Sequence, residues 1–176
     1  MAYYFFDFND SEKQTLRGVL LSLLEQLSKA RTRMSASLKS LYTECKYGQR
    51  LPDTAGLKET IISVLNEYSK EDSKHVFVIL DALDECKEAA AVLDFIENLH
   101  KIHPCVRIYI ASRPERDIML KIETLKASKI ILSAINGSDI EVYVREELER
   151  RPRLQRAQQN TKERIQNTLV EKASGM

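Results

Sequence analysis

The chain has 176 residues, 27 of them basic and 26 acidic, and 43% of its residues are apolar. Near-neutral charge removes any global argument for a nucleic-acid or membrane partner, and no apolar run approaches the roughly 18 residues a membrane-spanning helix needs. The length suffices for one domain with a buried core. The opening MAYYFFDFND has no basic n-region and meets acids at Asp7 and Asp10, so it does not read as a secretory signal. Cys45, Cys86 and Cys105 are odd in number and show no C-x-x-C spacing, which fits free thiols in a reducing compartment. A cytoplasmic location is the expectation.

In chain order, AYYFFDF (Ala2 to Phe8) is aromatic and too short for a helix, and it predicts a buried strand. Ser11 and Gln14 are spaced as a capping box, and Leu16, Val19, Leu20, Leu23, Leu24 and Leu27 follow at helical spacing. A polar stretch from Lys29 to Ser37 leads into a weaker helical segment ending near Gly48. Pro52 and Asp53 open another helix, with Leu57, Ile61, Val64, Leu65 and Tyr68 on one face. Val76 to Leu80 predicts a second strand. A helix is expected from about Glu88 to His100, with Val92, Leu93, Ile96 and Leu99 turned inward. VRIYIAS predicts a third strand and KIILSAI a fourth. NGSDIEVYVREELER predicts a helix with a capping box at Ser138 and Glu141, and a last helix runs from about Thr161 to Ala173.

Strands that alternate with helices and are apolar on both faces predict an α/β fold, a parallel sheet sandwiched by helices. Ligands in such folds bind outside the carboxyl ends of the strands. Asp81 stands at one such end and SRPE (Ser112 to Glu115) at the next.

HVFVILDALDEC (His75 to Cys86) drives five apolar residues straight into Asp81, Asp84 and Glu85. Either the strand ends in a solvated acidic loop, or the acids serve a metal and a phosphate. A P-loop nucleotide site needs a glycine-rich loop with Lys around the phosphates, and a strand-end carboxylate that holds Mg2+. It also needs an acid to orient water and a polar or cationic group on the neighbouring strand. Asp81 fits the magnesium acid, Asp84 and Glu85 fit water activation, and Ser112 with Arg113 fit the group that senses the terminal phosphate.

Those residues resemble the NACHT-type NTPase domain of STAND signalling proteins. The subgroup most alike is the nephrocystin-like N-terminal domain found in fungal proteins that carry ankyrin or other repeats. AYYFFDFNDSEKQTLRGVLLSLLEQL resembles that family's second strand and following helix, VFVILDALDEC its Walker B motif, and RIYIASRPERDI its sensor segment. SAINGSDIEVYVREEL resembles the helix after the last core strand. Ala82 stands where small residues, often Gly, are usual. The resemblance implies a nucleotide-dependent switch that uses Mg2+ and ATP or GTP in the complete domain, with protein partners or self-oligomerisation and neither nucleic acid nor membrane. It also implies a partial NTPase core over residues 1–150 and a helical extension over 151–176 that leads toward a winged-helix part.

The Walker A motif is missing. No two of Gly18, Gly48, Gly56, Gly137 and Gly175 are five apart, and none precedes Lys-Ser or Lys-Thr. The expectation is therefore an internal piece without the first core strand and P-loop, which alone binds no nucleotide tightly. In the resembled fold the absent strand lies between VRIYIA and KIILSAI.

Other signals have plainer readings. His100, His103 and Cys105 have a metal-like spacing, but no second cluster completes a zinc set, and a helix end at Pro104 explains them. Arg150, Arg151, Arg153 and Arg156 lack interleaved aromatics and read as a solvated connection. Cys86 beside acids reads as packing, because carboxylates raise a thiol's pKa. Three functions compete: a regulatory NTPase module, a non-catalytic scaffold derived from one, and an aspartate phosphotransferase using Asp81. The last wants Asp-x-Asp, whereas this chain has Asp81-x-x-Asp84-Glu85.

Overall fold

The computed structural model describes residues 1–30, 34–71, 75–131 and 137–173. It forms two compact units, Met1–Lys126 and Ala127–Met176.

The first unit is built on a parallel sheet of β1 (Ala2–Phe5), β2 (Val76–Asp81) and β3 (Val106–Ile110), in the order β1-β2-β3. Ala2 pairs with Val78 and Phe5 with Asp81 on one side of β2, and Val76 pairs with Val106 and Leu80 with Ile110 on the other. Among its described residues are the α-helices α1 (Leu16–Lys29), α2 (Ala36–Glu44), α3 (Thr54–Glu71), α4 (Ala89–Ile102) and α5 (Arg116–Thr124). This is the α/β class that the alternation of strands and helices predicts.

Period-2 alternation sorts the strands cleanly. Ala2, Tyr4, Val76, Val78, Leu80 and Val106 are buried in one core with Leu20 and Leu23 of α1, Leu57 and Ile61 of α3, Leu93 and Leu99 of α4, and Ile118 of α5. Burial of one such leucine stabilises the fold by about 1.5–3 kcal/mol. On the other face Tyr3, Phe5, Phe77 and Tyr109 are exposed, and the Phe77 and Tyr109 rings stack at 6.4 Å. The chain steps from β1 to β2 to β3 in one direction across the sheet. Right-handed crossovers made in one direction leave every helix on the same face. The bare aromatic face is a consequence of that rule.

Local chemistry corrects two helix starts. Ser11–Gln14 is a short 3-10 turn whose cap is Asp10, and α1 begins only at Leu16 behind Thr15, whose side chain accepts from the Gly18 N–H. Gln14 is thus no partner of a Ser11 capping box. It is buried, and its amide donates to the carbonyls of Asp7 and Phe8. Gly18 is required for close packing, since a Cβ there would collide with the Tyr4 hydroxyl and the Glu12 carbonyl. Asp53 caps α3 as its position implies, accepting from the Gly56 N–H at 2.7 Å.

The second unit contains α6 (Gly137–Arg150), the short α7 (Pro152–Gln155) and α8 (Gln159–Ala173). Since α6 starts at Gly137, Ser138 is already helical and is not the residue before the first turn. Of the expected strand KIILSAI, Lys129 to Ile131 are not in a strand, and residues 132–135 lie outside the described residues. Among the described residues β3 has no second neighbour.

The HKIHPC segment is a helix end. His103 follows α4, donates its N–H to the Leu99 carbonyl at 2.9 Å and accepts from the Val106 N–H at 2.9 Å. His100 Nδ1 lies 3.2 Å from the Val106 carbonyl, and no group of metal-binding side chains forms among the described residues. The His103 ring is buried with Nε2 unpartnered, and burial pulls its pKa below the usual histidine value, opposed by a bond to the Ile62 backbone. Below pH about 6.5 the unfolded chain therefore takes up a proton that the folded chain refuses. Stability present above that pH is lost as pH falls through it. Urea midpoints should drop between pH about 7.5 and about 5.5, and His103→Asn, which keeps a donor toward Ile62, should flatten that dependence.

Candidate functional site

The carboxyl ends of all three strands emerge at one edge, and the acidic run of β2 is placed among them. β2 ends at Asp81, Ala82 turns the chain, and Leu83–Glu85 forms a single 3-10 turn. Ala82 has φ 58° and ψ 45°, the left-handed region where an L side chain presses on the backbone. This turn points the two following acids back across the sheet end.

Each carboxylate then meets a different neighbour. Asp81 stays at the strand end, half-buried, with Oδ1 accepting from the Ala82 N–H at 3.0 Å. Its backbone carbonyl accepts from the Phe6 N–H at 3.1 Å, which ties it to the end of β1. Asp84 reaches the loop after β3. It accepts from the Arg113 N–H at 2.9 Å and the Ser112 hydroxyl at 3.3 Å, and Arg113 Nε lies 3.7 Å away. The Asp84 side chain is only 9% exposed and that of Arg113 is 75% exposed, so the guanidinium contributes little to stability and the backbone N–H is the firmer contact. Glu85 turns the opposite way and accepts from the Phe8 N–H at 2.9 Å. Glu88, one turn on, accepts from the Leu16 N–H at 2.7 Å and so caps α1 from outside.

The five residues singled out in the sequence are therefore brought to one edge of one sheet, on adjacent strands. Asp84, Ser112 and Arg113 form one bonded group. Glu85 faces β1 instead, and Asp81 lies between them. The bracing roles of Glu88 and Gln14 leave no signal in sequence, because their partners are backbone groups 72 and 6 or 7 residues away. Cys86 is buried, its Sγ donates to the Gln14 carbonyl at 3.3 Å, and burial pushes its pKa up, opposed by a hydrogen bond from the Glu88 backbone and helped less by the Glu88 charge. It packs, as its surroundings in sequence imply. Tyr4, below the same loop, has its hydroxyl pKa pushed up to about 12, mostly by burial.

A parallel sheet flanked by helices places this protein in the α/β class, in which ligands bind outside the carboxyl ends of the strands. The family model for the nephrocystin 3 N-terminal domain matches residues 1–113, and the chain belongs to that family. The match runs from β1 through Arg113 and so contains every residue of this edge. Comparison with curated proteins and with solved structures yields no significant match.

The turn at Ala82 offers a direct check. Ala82→Gly should leave stability unchanged or raise it by up to about 1 kcal/mol, since glycine relieves the left-handed strain at an entropic cost of similar size. Ala82→Val should lose about 1–3 kcal/mol, because a β-branched residue is a true outlier there. Urea unfolding of the three proteins measures both shifts.

Proposed function

We propose that this domain is the Walker B half of a STAND-type, NACHT-like nucleoside-triphosphatase switch, with its P-loop supplied by a strand and helix outside these 176 residues. One observation carries the reading. The Asp81 carboxylate sits at the carboxyl end of the central strand, beside a Ser112–Arg113 pair held at the end of the adjacent strand. That is where Mg2+ and the terminal phosphate of ATP or GTP would be met.

The bare surfaces support it independently. A strand added at the outer edge of β3, followed by a helix running back toward β1, makes a crossover in the reverse direction. Right-handedness then lays that helix on the face exposing Tyr3, Phe5, Phe77 and Tyr109. A P-loop strand and its helix have this form.

The site fits magnesium as such switches use it. Asp81 is a single carboxylate with one oxygen engaged by the Ala82 N–H, and Mg2+ typically keeps waters and shares substrate phosphates with one or two carboxylates. When bound, the ion would screen and polarise the phosphates. The residues of this chain would hold it through Asp81, position the sensing Arg113 through Asp84, and orient water through Asp84 or Glu85. Either acid would first release the backbone N–H it now holds.

That last requirement favours a second reading, a non-catalytic scaffold derived from an NTPase, in which Asp84 and Glu85 serve only as braces. The two readings separate on one protein. The 176-residue chain alone should bind Mg-ATP and Mg-GTP no tighter than about millimolar in calorimetric titration, because P-loop N–H groups and Lys provide most phosphate recognition. A longer protein carrying a P-loop should bind, Asp81→Ala should abolish its magnesium-dependent affinity, and Glu85→Gln should spare binding while slowing turnover. Binding in the longer protein that is indifferent to Asp81→Ala would overturn the proposal. Binding without any turnover would favour the scaffold.

A further inference from the structure

The two edges of the sheet are treated differently. At β1, Tyr3 N–H donates to Gln26 Oε1 at 3.0 Å, and Gln26 Nε2 donates to the Tyr3 carbonyl at 2.7 Å. One side-chain amide thus occupies both outward groups of Tyr3, at the middle of this short edge, and interrupts any strand that would pair along it. At β3, the Cys105 carbonyl and the Ala111 N–H face β2, bonding Val76 and Leu80 at 3.3 Å and 2.8 Å. Alternation then turns Val106, Ile108 and Ile110 outward. Val106 is satisfied locally by His103 and His100. Among the described residues, nothing meets the outward N–H and C=O of Ile108 or Ile110.

We propose that β3 of two copies of this chain pair antiparallel about a two-fold axis at Tyr109, joining two three-stranded sheets into one of six strands. With the axis there, Ile108 of each copy faces Ile110 of the other, and all four free N–H groups find the four free carbonyls. Tyr109 meets its own counterpart on the axis. Arg107 faces Ala111 of the second copy, and beyond that small residue in the same row stands Asp81, because Leu80 pairs with Ile110. Arg107 and Asp81 of opposite copies then lie about 10 Å apart at their Cα atoms, a span that an arginine laid over an alanine bridges. Symmetry makes the ion pair twice. An axis at Ile108 would instead offer the groups of Val106, which are already bonded. Parallel pairing of identical edges would not close.

This inference goes beyond the nucleotide reading and stands on the backbone and charge pattern alone. The pairing uses the edge at which a P-loop strand would insert, and it covers Asp81. The dimer and an inserted P-loop strand are therefore mutually exclusive at this edge.

Sedimentation of the 176-residue chain in reductant, over about 1–100 µM, should show a monomer–dimer equilibrium. Arg107→Glu should weaken it at least about tenfold, and adding Asp81→Arg to that variant should restore it. Ile108→Pro, which deletes an outward N–H at an edge where proline is tolerated, should give a folded monomer by circular dichroism. Tyr109→Cys should crosslink two copies on mild oxidation, since a non-hydrogen-bonded antiparallel pair has disulfide spacing, whereas Phe77→Cys should not. A wild-type chain monomeric throughout, a charge swap that fails to restore pairing, or no crosslink through Cys at position 109 would each overturn the proposal. Loss of nucleotide binding in a longer protein would leave all four readouts unchanged, so the two readings fail separately.

Discussion

Strand β2 is hydrogen-bonded along both edges, to β1 on one side and β3 on the other, and the rest of the first unit is arranged around that double pairing. A central parallel strand can be reached only through crossovers, and crossovers of one hand made in one direction stack their helices on one side. From this follow the single core, the bare aromatic face and the gathering of all strand ends at one edge. β2 also has the most completely buried inward row, Val76, Val78 and Leu80. Its position is thus specified by packing as well as by pairing, because a one-residue slip would turn that row out to solvent.

The same strand ends in an acidic run that works largely as a set of braces. Asp84 ties it to the loop after β3, Glu85 to the segment after β1, and Glu88 to the start of α1. Each carboxylate satisfies a backbone N–H that would otherwise be orphaned at the end of a strand or the beginning of a helix, a charge-assisted bond stronger than a neutral one. Local stability and the geometry of the candidate site rest on the same groups. Among the described residues, the Asp81 side chain is bonded only within its own turn, by the Ala82 N–H.

The unequal edges of the sheet frame what the domain can associate with. Gln26 blocks the β1 edge at Tyr3 with two hydrogen bonds from one side chain, whereas β3 offers two successive outward residues, Ile108 and Ile110. Any strand that adds there also extends the row of exposed Tyr3, half-buried Ile79 and exposed Tyr109, aligned by the strand register. The proposed P-loop strand and the proposed β3 of a second copy would each occupy that one place, so the two strands exclude each other at this edge.

Much of this was legible along the chain. Apolar periodicity located α1, α3 and α4 because their buried residues recur at 3–4 residue intervals, and the unbroken apolar run identified β2 because a central strand is covered strongly on its inner side. Asp81 and Arg113 could be placed at one edge because parallel strands all end on the same side. The sequence by itself thus determined the fold class, the family and the gathering of Asp81, Asp84, Glu85, Ser112 and Arg113 at one end of the sheet. Only the tertiary structure decided what those residues do to one another: that Asp84 holds Arg113 while Glu85 holds Phe8, that Asp10 and Thr15 rather than Ser11 cap the first helical turns, and that one face of the sheet is bare. The physical reason is that these outcomes depend on backbone donors far away in sequence and on crossover handedness, and neither leaves a local pattern of residue types to read.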